Sequence, residues 1–170
     1  VNYRTPPFSV EAEQGLLGAI LINNQAYEKI SDFLIPQHFF DPLHARIFDA
    51  ICKIIERGQI ANPVTLKPFF ETDPDMTQLG GTQYLARLAA SIGSIVNVYD
   101  YGRLIHDLHM RRQLIAIGED MVNEAYDPKV ELTASEQVEG CEQKLFELSK
   151  TGNVEGGFQP LSSALTNAIN

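Results

Sequence analysis

The sequence predicts an all-α protein in three parts: a compact multi-helix head, a long antiparallel helical hairpin, and a flexible linker with a short helix. Apolar residues in the long segments recur in steps of three and four, as on one face of a helix. No segment alternates apolar and polar residues between turn signals, as a half-buried strand would. We place the head at residues 1–95, the hairpin at 96–150 and the linker with its helix at 151–170.

The first helix of the head is predicted over Val10–Ile22. Ser9 is a favourable N-cap for it, because a serine hydroxyl accepts a hydrogen bond from a free amide of the first turn. Gly15 and Gly18 lie inside this helix, where each glycine costs about 1 kcal/mol relative to alanine. We therefore expect another helix to pack closely across the face that carries them.

The other head helices have a cap or a helix breaker at their boundaries. Asp41-Pro42 combines an N-cap with a proline at the first helical position, and Gly58 is typical of a helix C-terminus. Thr82 is expected to cap the last helix of the head. The predicted elements are a helix over Tyr27–Leu34, one from Pro42 up to Gly58, a short one from Pro63 through Phe70, a turn at Thr72–Asp75, and a helix over Gln83–Ala90.

The hairpin is predicted from two long amphipathic segments between Asn97 and Lys150, which fold back on each other at Tyr126–Lys129. The small and apolar residues of the second arm recur in steps of four, three, four and three, as in a coiled coil. They are Ala134, Val138, Cys141, Leu145 and Leu148. Neither arm is apolar all round, so each must lay one stripe on a partner. The arms can cover each other, and a projecting hairpin also favours contact with other chains.

The candidate contact residues are apolar positions of the hairpin. Two interpretations stay open for each of them: packing between the two arms, or contact with another protein. Packing is favoured for Val122 and Leu145, whereas Met121, Tyr126 and Phe146 are residue types common at protein interfaces. The full set is Tyr101, Ile117, Met121, Val122, Tyr126, Leu145 and Phe146.

The last twenty residues are predicted to form a linker and a short helix. The glycine-containing stretch up to Gly157 is typical of a flexible linker. A ten-residue helix is too short to be stable alone in water, so it needs a partner in this chain or a neighbouring one. Its predicted docking residues are Phe158, Leu161, Ala164, Leu165 and Ile169.

Charge and composition argue against several classes of function. The net charge is −9, and nucleic-acid backbones are bound mainly through lysine and arginine, so direct DNA binding by this sequence is disfavoured. No apolar run approaches the roughly 20 residues of a membrane span, and Leu16–Ile22 is too short and too acidic in its flank for a signal peptide. Cys52 and Cys141 occupy apolar helical positions, as small core residues in a reducing cytosol do.

No pattern in the sequence indicates catalysis, a metal or a cofactor. Neither a phosphate-binding loop nor a dinucleotide fingerprint is present. His106 and His109 are spaced for one helix face, but no cysteine or carboxylate stands at a matching spacing, so we expect no metal site. His38 and His44 are expected to hydrogen-bond the backbone and cap a helix start. We therefore expect this chain to be non-catalytic.

Short motifs recur along the chain in a characteristic order. They are Pro6-Pro7-Phe8-Ser9-Val10-Glu11-Ala12-Glu13-Gln14 with Leu17-Gly18, Phe39-x-x-Pro42-x-His44-x-x-Ile47-Phe48, Val64-Thr65-Leu66, Gly80-Gly81-x-x-Tyr84-Leu85-x-x-Leu88, Asn97-x-x-x-Tyr101, Arg112-x-Leu114 and Tyr126-Asp127-Pro128. Their order and spacing over residues 6–150 resemble the N-terminal part of bacterial replicative DNA helicases of the DnaB type. One departure is Asn62-Pro63, at a position where the family often has an acidic residue.

The resemblance implies a homohexameric, cytoplasmic helicase, of which this sequence holds the N-terminal domain. The RecA-like motor domain, with the ATP, magnesium and DNA sites, would lie beyond it. In the family the N-terminal domains pair through their hairpins into a collar that docks the C-terminal domain of primase. The linker helix packs on the motor domain of the neighbouring subunit, a role that would fall to 158–170 here. The alternative interpretation is a collar surface that contacts or guides single-stranded DNA, which the acidic charge disfavours.

Overall fold

Helices form every regular element of the computed structural model, which describes residues 4–91, 97–127 and 129–152. The prediction of an all-α fold is confirmed over these ranges, in which no β-strand occurs. The α-helices are α1 (Val10–Ile22), α2 (Pro42–Glu56), α3 (Pro63–Phe70), α4 (Pro74–Gln78), α5 (Gln83–Ala90), α6 (Val98–Tyr126) and α7 (Ala134–Thr151). Two 3₁₀ segments, Asn24–Lys29 and Pro36–His38, lie between α1 and α2.

The helix starts follow the capping chemistry read from the sequence. The Ser9 hydroxyl accepts from the amide of Ala12 at 3.2 Å, and the Asp41 carboxylate accepts from the amide of Leu43 at 2.9 Å. Gly58 follows the end of α2 with a φ of 75°, which suits glycine. Thr82 differs from the prediction, because its side chain makes no capping hydrogen bond.

The chain divides into two compact units, Val1–His109 and Met110–Asn170. The sequence prediction divides the chain at residue 95, just before the hairpin begins. The boundary between the two compact units lies between His109 and Met110, inside α6. The first unit holds the hydrophobic core, in which α1 packs against α2 and α5, and α3 packs against α2 and α5. Its fully buried side chains include Leu16, Leu17, Ile20, Ile47, Phe48, Ile51, Leu66, Met76 and Leu85.

Glycine permits the close packing predicted across α1. A Cβ atom added to Gly15 would lie 2.6 Å from Cε2 of Tyr101, so the tyrosine ring of α6 rests directly on the α1 backbone. Gly102 makes a second close approach, since its added Cβ would lie 2.6 Å from Cγ2 of the buried Ile30. The start of α6 is therefore fitted into the first unit at two backbone-to-side-chain contacts.

Two sequence predictions differ from the structure. The helix predicted over Tyr27–Leu34 is instead a 3₁₀ segment, Asn24–Lys29, followed by turns, and the Asn24 side chain at its start bonds to distant backbone. Its Nδ2 donates to the carbonyls of Ile20 and Ala61, and its Oδ1 accepts from the amide of Ala61. The predicted turn at Thr72–Asp75 contains the start of α4, for which the Asp73 side chain is the cap.

Candidate interaction surface on the helical hairpin

The second unit consists of two antiparallel helical arms, the C-terminal part of α6 and all of α7. A Cβ added to Gly152 would lie 2.5 Å from Cε of Met110, so the end of α7 lies against the part of α6 that begins this unit. Thr133 starts α7 with a reciprocal capping box: the Thr133 hydroxyl accepts from the amide of Glu136, and the Glu136 carboxylate accepts from the amide of Thr133. The predicted hairpin is confirmed.

An apolar groove of about 370 Å³ lies between the arms near their connection. Met121 and Ala125 contribute to it from α6, and the first three positions of the predicted coiled-coil stripe contribute from α7. Those three are Ala134, Val138 and Cys141. These three positions therefore face the other arm as predicted. The arms do not close over them: Val138 keeps 58% of its surface exposed.

No described residue from 110 to 152 is buried. An isolated hairpin of this size cannot shelter its own apolar side chains, because each helix covers only one face of the other. The large apolar side chains that stay exposed are Leu114, Ile115, Met121, Val122, Tyr126, Val130, Leu132, Val138, Leu145 and Phe146. Exposed apolar surface on this scale is typical of an interaction site.

The structure places the predicted contact residues in different surroundings. Met121 lines the inter-arm groove, and Ile117 is half-buried. Val122 is 53% exposed and Tyr126 is 86% exposed. The arms therefore leave Val122 open, contrary to the packing that the sequence favours, and its role as a contact stays a prediction.

The remaining predicted contacts lie on α7 and in the first unit. Leu145 and Phe146 are exposed, and Nζ of Lys150 lies 4.5 Å from the centroid of the Phe146 ring. Tyr101 is half-buried over Gly15, so packing within the first unit accounts for much of its surface. The predicted linker-helix residues Phe158, Leu161, Ala164, Leu165 and Ile169 lie outside the described residues.

The first unit contains a buried hydrogen-bond network that no sequence pattern predicted. Nδ1 of His44 donates to Oε1 of Glu13 at 3.0 Å, and the Tyr84 hydroxyl donates to Nε2 of His44 at 2.7 Å. Gln14 donates in turn to the Tyr84 oxygen at 3.2 Å. These donor and acceptor roles are the ones that let every group in the chain of bonds be satisfied.

The Glu13 carboxylate also accepts from the backbone amides of Phe40 and Asp41, at 2.9 and 3.2 Å. The prediction that His44 hydrogen-bonds the backbone and caps a helix start is therefore wrong, because its ring bonds two side chains. The backbone amides ahead of α2 are bonded by Glu13 instead. The same prediction is confirmed for His38, whose Nδ1 accepts from the amide of Ile35 at 3.2 Å. Helical spacing to the buried Leu17 marks Glu13 as an inward position, which was the available signal.

The network joins α1, α2 and α5, and it does not form a binding site that is open to solvent. His44 and Glu13 are only 1% and 3% exposed, and Tyr84 is 8% exposed, so a substrate cannot reach them. Burial raises the pKa of the Tyr84 phenol, which keeps its proton available for His44. No buried side-chain polar atom in the described part of the chain lacks a hydrogen-bond partner.

Three histidine rings approach one another in the first unit. The ring of His38 lies 4.7 Å from that of His106 and 4.8 Å from that of His109, centroid to centroid. Within the ranges that the structure describes, no group of three histidine, cysteine or carboxylate side chains is placed to hold a metal ion. Over the same ranges, no helix has the length and apolar character that crossing a membrane requires.

Comparison with known proteins identifies the relatives of this chain. The model of the DnaB-like helicase N-terminal domain matches residues 5–107. The replicative DNA helicase DnaB of Rickettsia typhi is 41% identical over 166 residues, which cover 98% of this chain and 33% of that protein. The Synechocystis protein of the same name is 31% identical and is covered over 19% of its length. The chain thus spans about a third or less of these curated relatives.

Solved structures show the same fold. The crystal structure of the N-terminal domain of DnaB helicase from Mycobacterium tuberculosis aligns with a TM-score of 0.74 and 26% identity, over 85% of this chain and 99% of that one. A structure described as a DnaB-like replicative helicase and its interactions with primase aligns with a TM-score of 0.67 and 20% identity, over 95% of this chain and 36% of that one. The chain belongs to the family of DnaB-like helicase N-terminal domains.

Proposed function

We propose that this chain is the non-catalytic assembly and docking domain of a hexameric replicative DNA helicase. It would form the N-terminal collar by pairing through its hairpin, and it would dock primase during DNA replication. The observation that supports this proposal is the second unit, in which no described side chain is buried and ten large apolar side chains are exposed. Apolar surface contributes about 25 cal/mol for each Å² removed from water, so covering the exposed parts of these side chains provides a driving force for association.

Self-association is the first expected use of this surface. Ile115 and Val122 are seven residues apart on α6, and both are exposed. Gly118 lies between them with no atom near its open side, so a second helix can approach the α6 backbone there. A repeat of seven residues on an open helix face suits a second helix of the same kind.

Primase docking is the second expected use. The relative described with its interactions with primase shares the fold of this chain, although their sequence identity supports no residue-level transfer. Met121, Tyr126 and Phe146 are exposed residues of types enriched in interface cores. We assign them, with Ile117, Val122, Leu145 and the less exposed Tyr101, to contacts with primase or a neighbouring subunit.

The other parts of the assembly follow from the family. We infer that Phe158, Leu161, Ala164, Leu165 and Ile169 dock on the motor domain of a neighbouring subunit. ATP and magnesium would bind in that motor domain, and DNA would be bound through the whole helicase. A bacterial replicative helicase of this kind works in the cytoplasm.

Light scattering at several protein concentrations tests the pairing. The mass should exceed that of the 18.9 kDa monomer and rise with concentration. Val122→Asp places a charge on the open face of α6 and should shift the mass toward the monomer. Val64→Asp is the matched control, because this valine is 78% exposed on the first unit. A monomeric mass up to millimolar concentration would contradict the pairing.

Calorimetric titration with the C-terminal domain of a primase tests the docking. Met121→Asp and Tyr126→Asp should each weaken binding at least about tenfold, since a buried unpaired charge is costly. Far-UV circular dichroism should show unchanged helix content, because both side chains are exposed. If both variants keep the wild-type affinity, Met121 and Tyr126 are not part of the primase-binding surface.

Direct contact with single-stranded DNA is the alternative function. Residues 119–142, at the connected end of the hairpin, carry eight carboxylates and one lysine, and such a charge repels phosphates. A gel-shift assay at low salt should therefore show no complex with this chain. A complex whose affinity falls steeply with added salt would favour the alternative.

A further inference from the structure

The tip of the hairpin, which we define as residues 119–142, contains two neighbouring cavities. The cavity of about 370 Å³ described above adjoins a second one of about 400 Å³. The two share Ala125, Ala134 and Gln137 in their walls, and we refer to them together as the groove. Small side chains at Ala125 and Ala134 keep the arms from filling the space between them.

Acidic side chains border this groove. Glu142 lines the first cavity, and Glu124 and Asp127 line the second, together with Lys129. In the described part of the chain, these three carboxylates form no ion pair with a lysine or arginine. Over the whole tip, eight carboxylates against one amine leave a net charge of −7.

We propose that the groove at the tip is the docking site for a basic amphipathic helix of a partner protein. This inference rests on the proposed docking role of the hairpin and specifies the chemistry of the partner segment. Apolar residues of that helix would lie on Met121, Val138 and Cys141, while its lysine or arginine residues would reach the carboxylates along the border.

Charge also selects against other occupants. The same groove of a second copy would bring a second charge of −7 against the first, and like charges at close range oppose association. The groove is therefore kept free for a partner of opposite charge, whereas pairing between copies would use the face of α6 that carries Ile115 and Val122, which do not line the groove. The attraction also accelerates encounter with a basic partner, and salt weakens it.

A labelled synthetic peptide provides the probe. It has about 18 residues, enough for a stable bound helix, with leucine on one face and lysine on the other. Fluorescence anisotropy with the full chain should show saturable binding that weakens as salt increases. Two matched peptides serve as controls: one replaces every lysine with glutamate, and one scrambles the sequence so that the apolar face is lost. Equal binding of either control peptide would contradict the proposal.

Two variants locate the binding on the protein. Ala125→Leu fills the groove and should weaken binding at least about tenfold, and because Ala125 is exposed the arms need not separate. The double change Asp127→Asn and Glu142→Gln should weaken binding about fivefold and reduce its salt dependence. Glu71→Gln, on the first unit, is the matched charge control and should change nothing. Circular dichroism verifies that each variant keeps its helix content.

The outcomes separate this inference from the function on which it rests. If Met121→Asp weakens primase binding while the double charge change and Ala125→Leu do not affect the peptide, the docking role stands and the basic-helix inference fails. If the peptide binds as expected while light scattering and the primase titration show no association, the groove is real and the proposed assembly role fails.

Discussion

Oε1 of Glu13 accepts a hydrogen bond from Nδ1 of His44 at 3.0 Å, although 31 positions separate the two residues in the sequence. The same carboxylate accepts hydrogen bonds from the amides of Phe40 and Asp41, so one buried side chain links α1 to the segment that precedes α2. A buried carboxylate is tolerated only when its acceptor positions are filled, as they are here. These bonds give Glu13, one of the two acidic residues at the start of α1, a structural role.

Glu13→Ala should destabilise the protein by about 2 kcal/mol or more. The change leaves the buried Nδ1 of His44 and the partly buried amides of Phe40 and Asp41 without their acceptor, and one unsatisfied buried donor costs about 1–3 kcal/mol. Urea unfolding followed by circular dichroism measures the difference. Glu11→Ala is the matched control in the same helix turn, where the exposed carboxylate contributes less than about 1 kcal/mol through the helix dipole. Equal losses in the two variants would contradict the structural role of the network.

Gly102→Ala and Gly118→Ala should have opposite effects, although both lie in α6. At Gly102 the new Cβ would lie 2.6 Å from Cγ2 of the fully buried Ile30, so we expect a loss of about 1–3 kcal/mol. At Gly118 no atom lies within 4 Å, so alanine should raise helix stability by up to about 1 kcal/mol. Thermal unfolding of both variants provides the measurement.

A stabilising effect of Gly102→Ala would contradict this prediction. It would mean that the start of α6 is not packed closely against Ile30. Gly118→Ala should in addition weaken pairing between copies if α6 helices approach there, which light scattering would detect separately from unfolding.

The sequence predicts well those features that depend on local chemistry. The bounds of α1 and the cap of α2 follow from Ser9, Asp41 and Pro42, whose effects act within one helix turn. The all-α class and the hairpin follow from apolar periodicity. Gly15 also signalled a close approach, although the residue that fills it, Tyr101, could not be named in advance.

The features that the sequence did not predict depend on long-range contacts. The first residue of the 3₁₀ segment after α1, Asn24, bonds to Ala61, which lies 37 positions away. The buried network unites Glu13, His44 and Tyr84 from three helices, and no local rule pairs them. The sequence also did not predict how exposed the second unit is, because periodicity shows which face of a helix is apolar and not what covers that face.

The stabilising effect of Asp73 should disappear at acidic pH. Hydrogen bonds from Arg46, at 2.9 and 3.0 Å, hold the pKa of the Asp73 carboxyl below its usual range. A carboxyl whose pKa is lowered on folding stabilises the protein above its unfolded-state pKa, and this contribution is lost as the pH falls through the folded-state value. At neutral pH the contribution is therefore complete.

Asp73→Asn removes this charge and keeps an oxygen that can cap α4. We expect it to cost about 0.5–1 kcal/mol at pH 7, since Arg46 is 42% exposed and exposed ion pairs are weak. The difference from the wild type should stay constant from pH 7 to about 5 and shrink below about pH 4. Urea unfolding across this range measures it, and a difference that persists undiminished at the lowest pH would refute the ion pair as its cause.

Cys52 should react slowly with thiol reagents in the folded protein. Burial raises the pKa of its thiol to about 11, and only the thiolate attacks a disulfide reagent. At pH 8 the thiolate fraction is about 10⁻³, so the reaction should be at least about 100-fold slower than that of free cysteine. A Cys141→Ser variant isolates this thiol for spectrophotometric assay with an aromatic disulfide. Its rate should rise about tenfold per pH unit between pH 8 and 10 and become fast in denaturant, whereas a plateau near pH 9 would show that burial does not control the thiol.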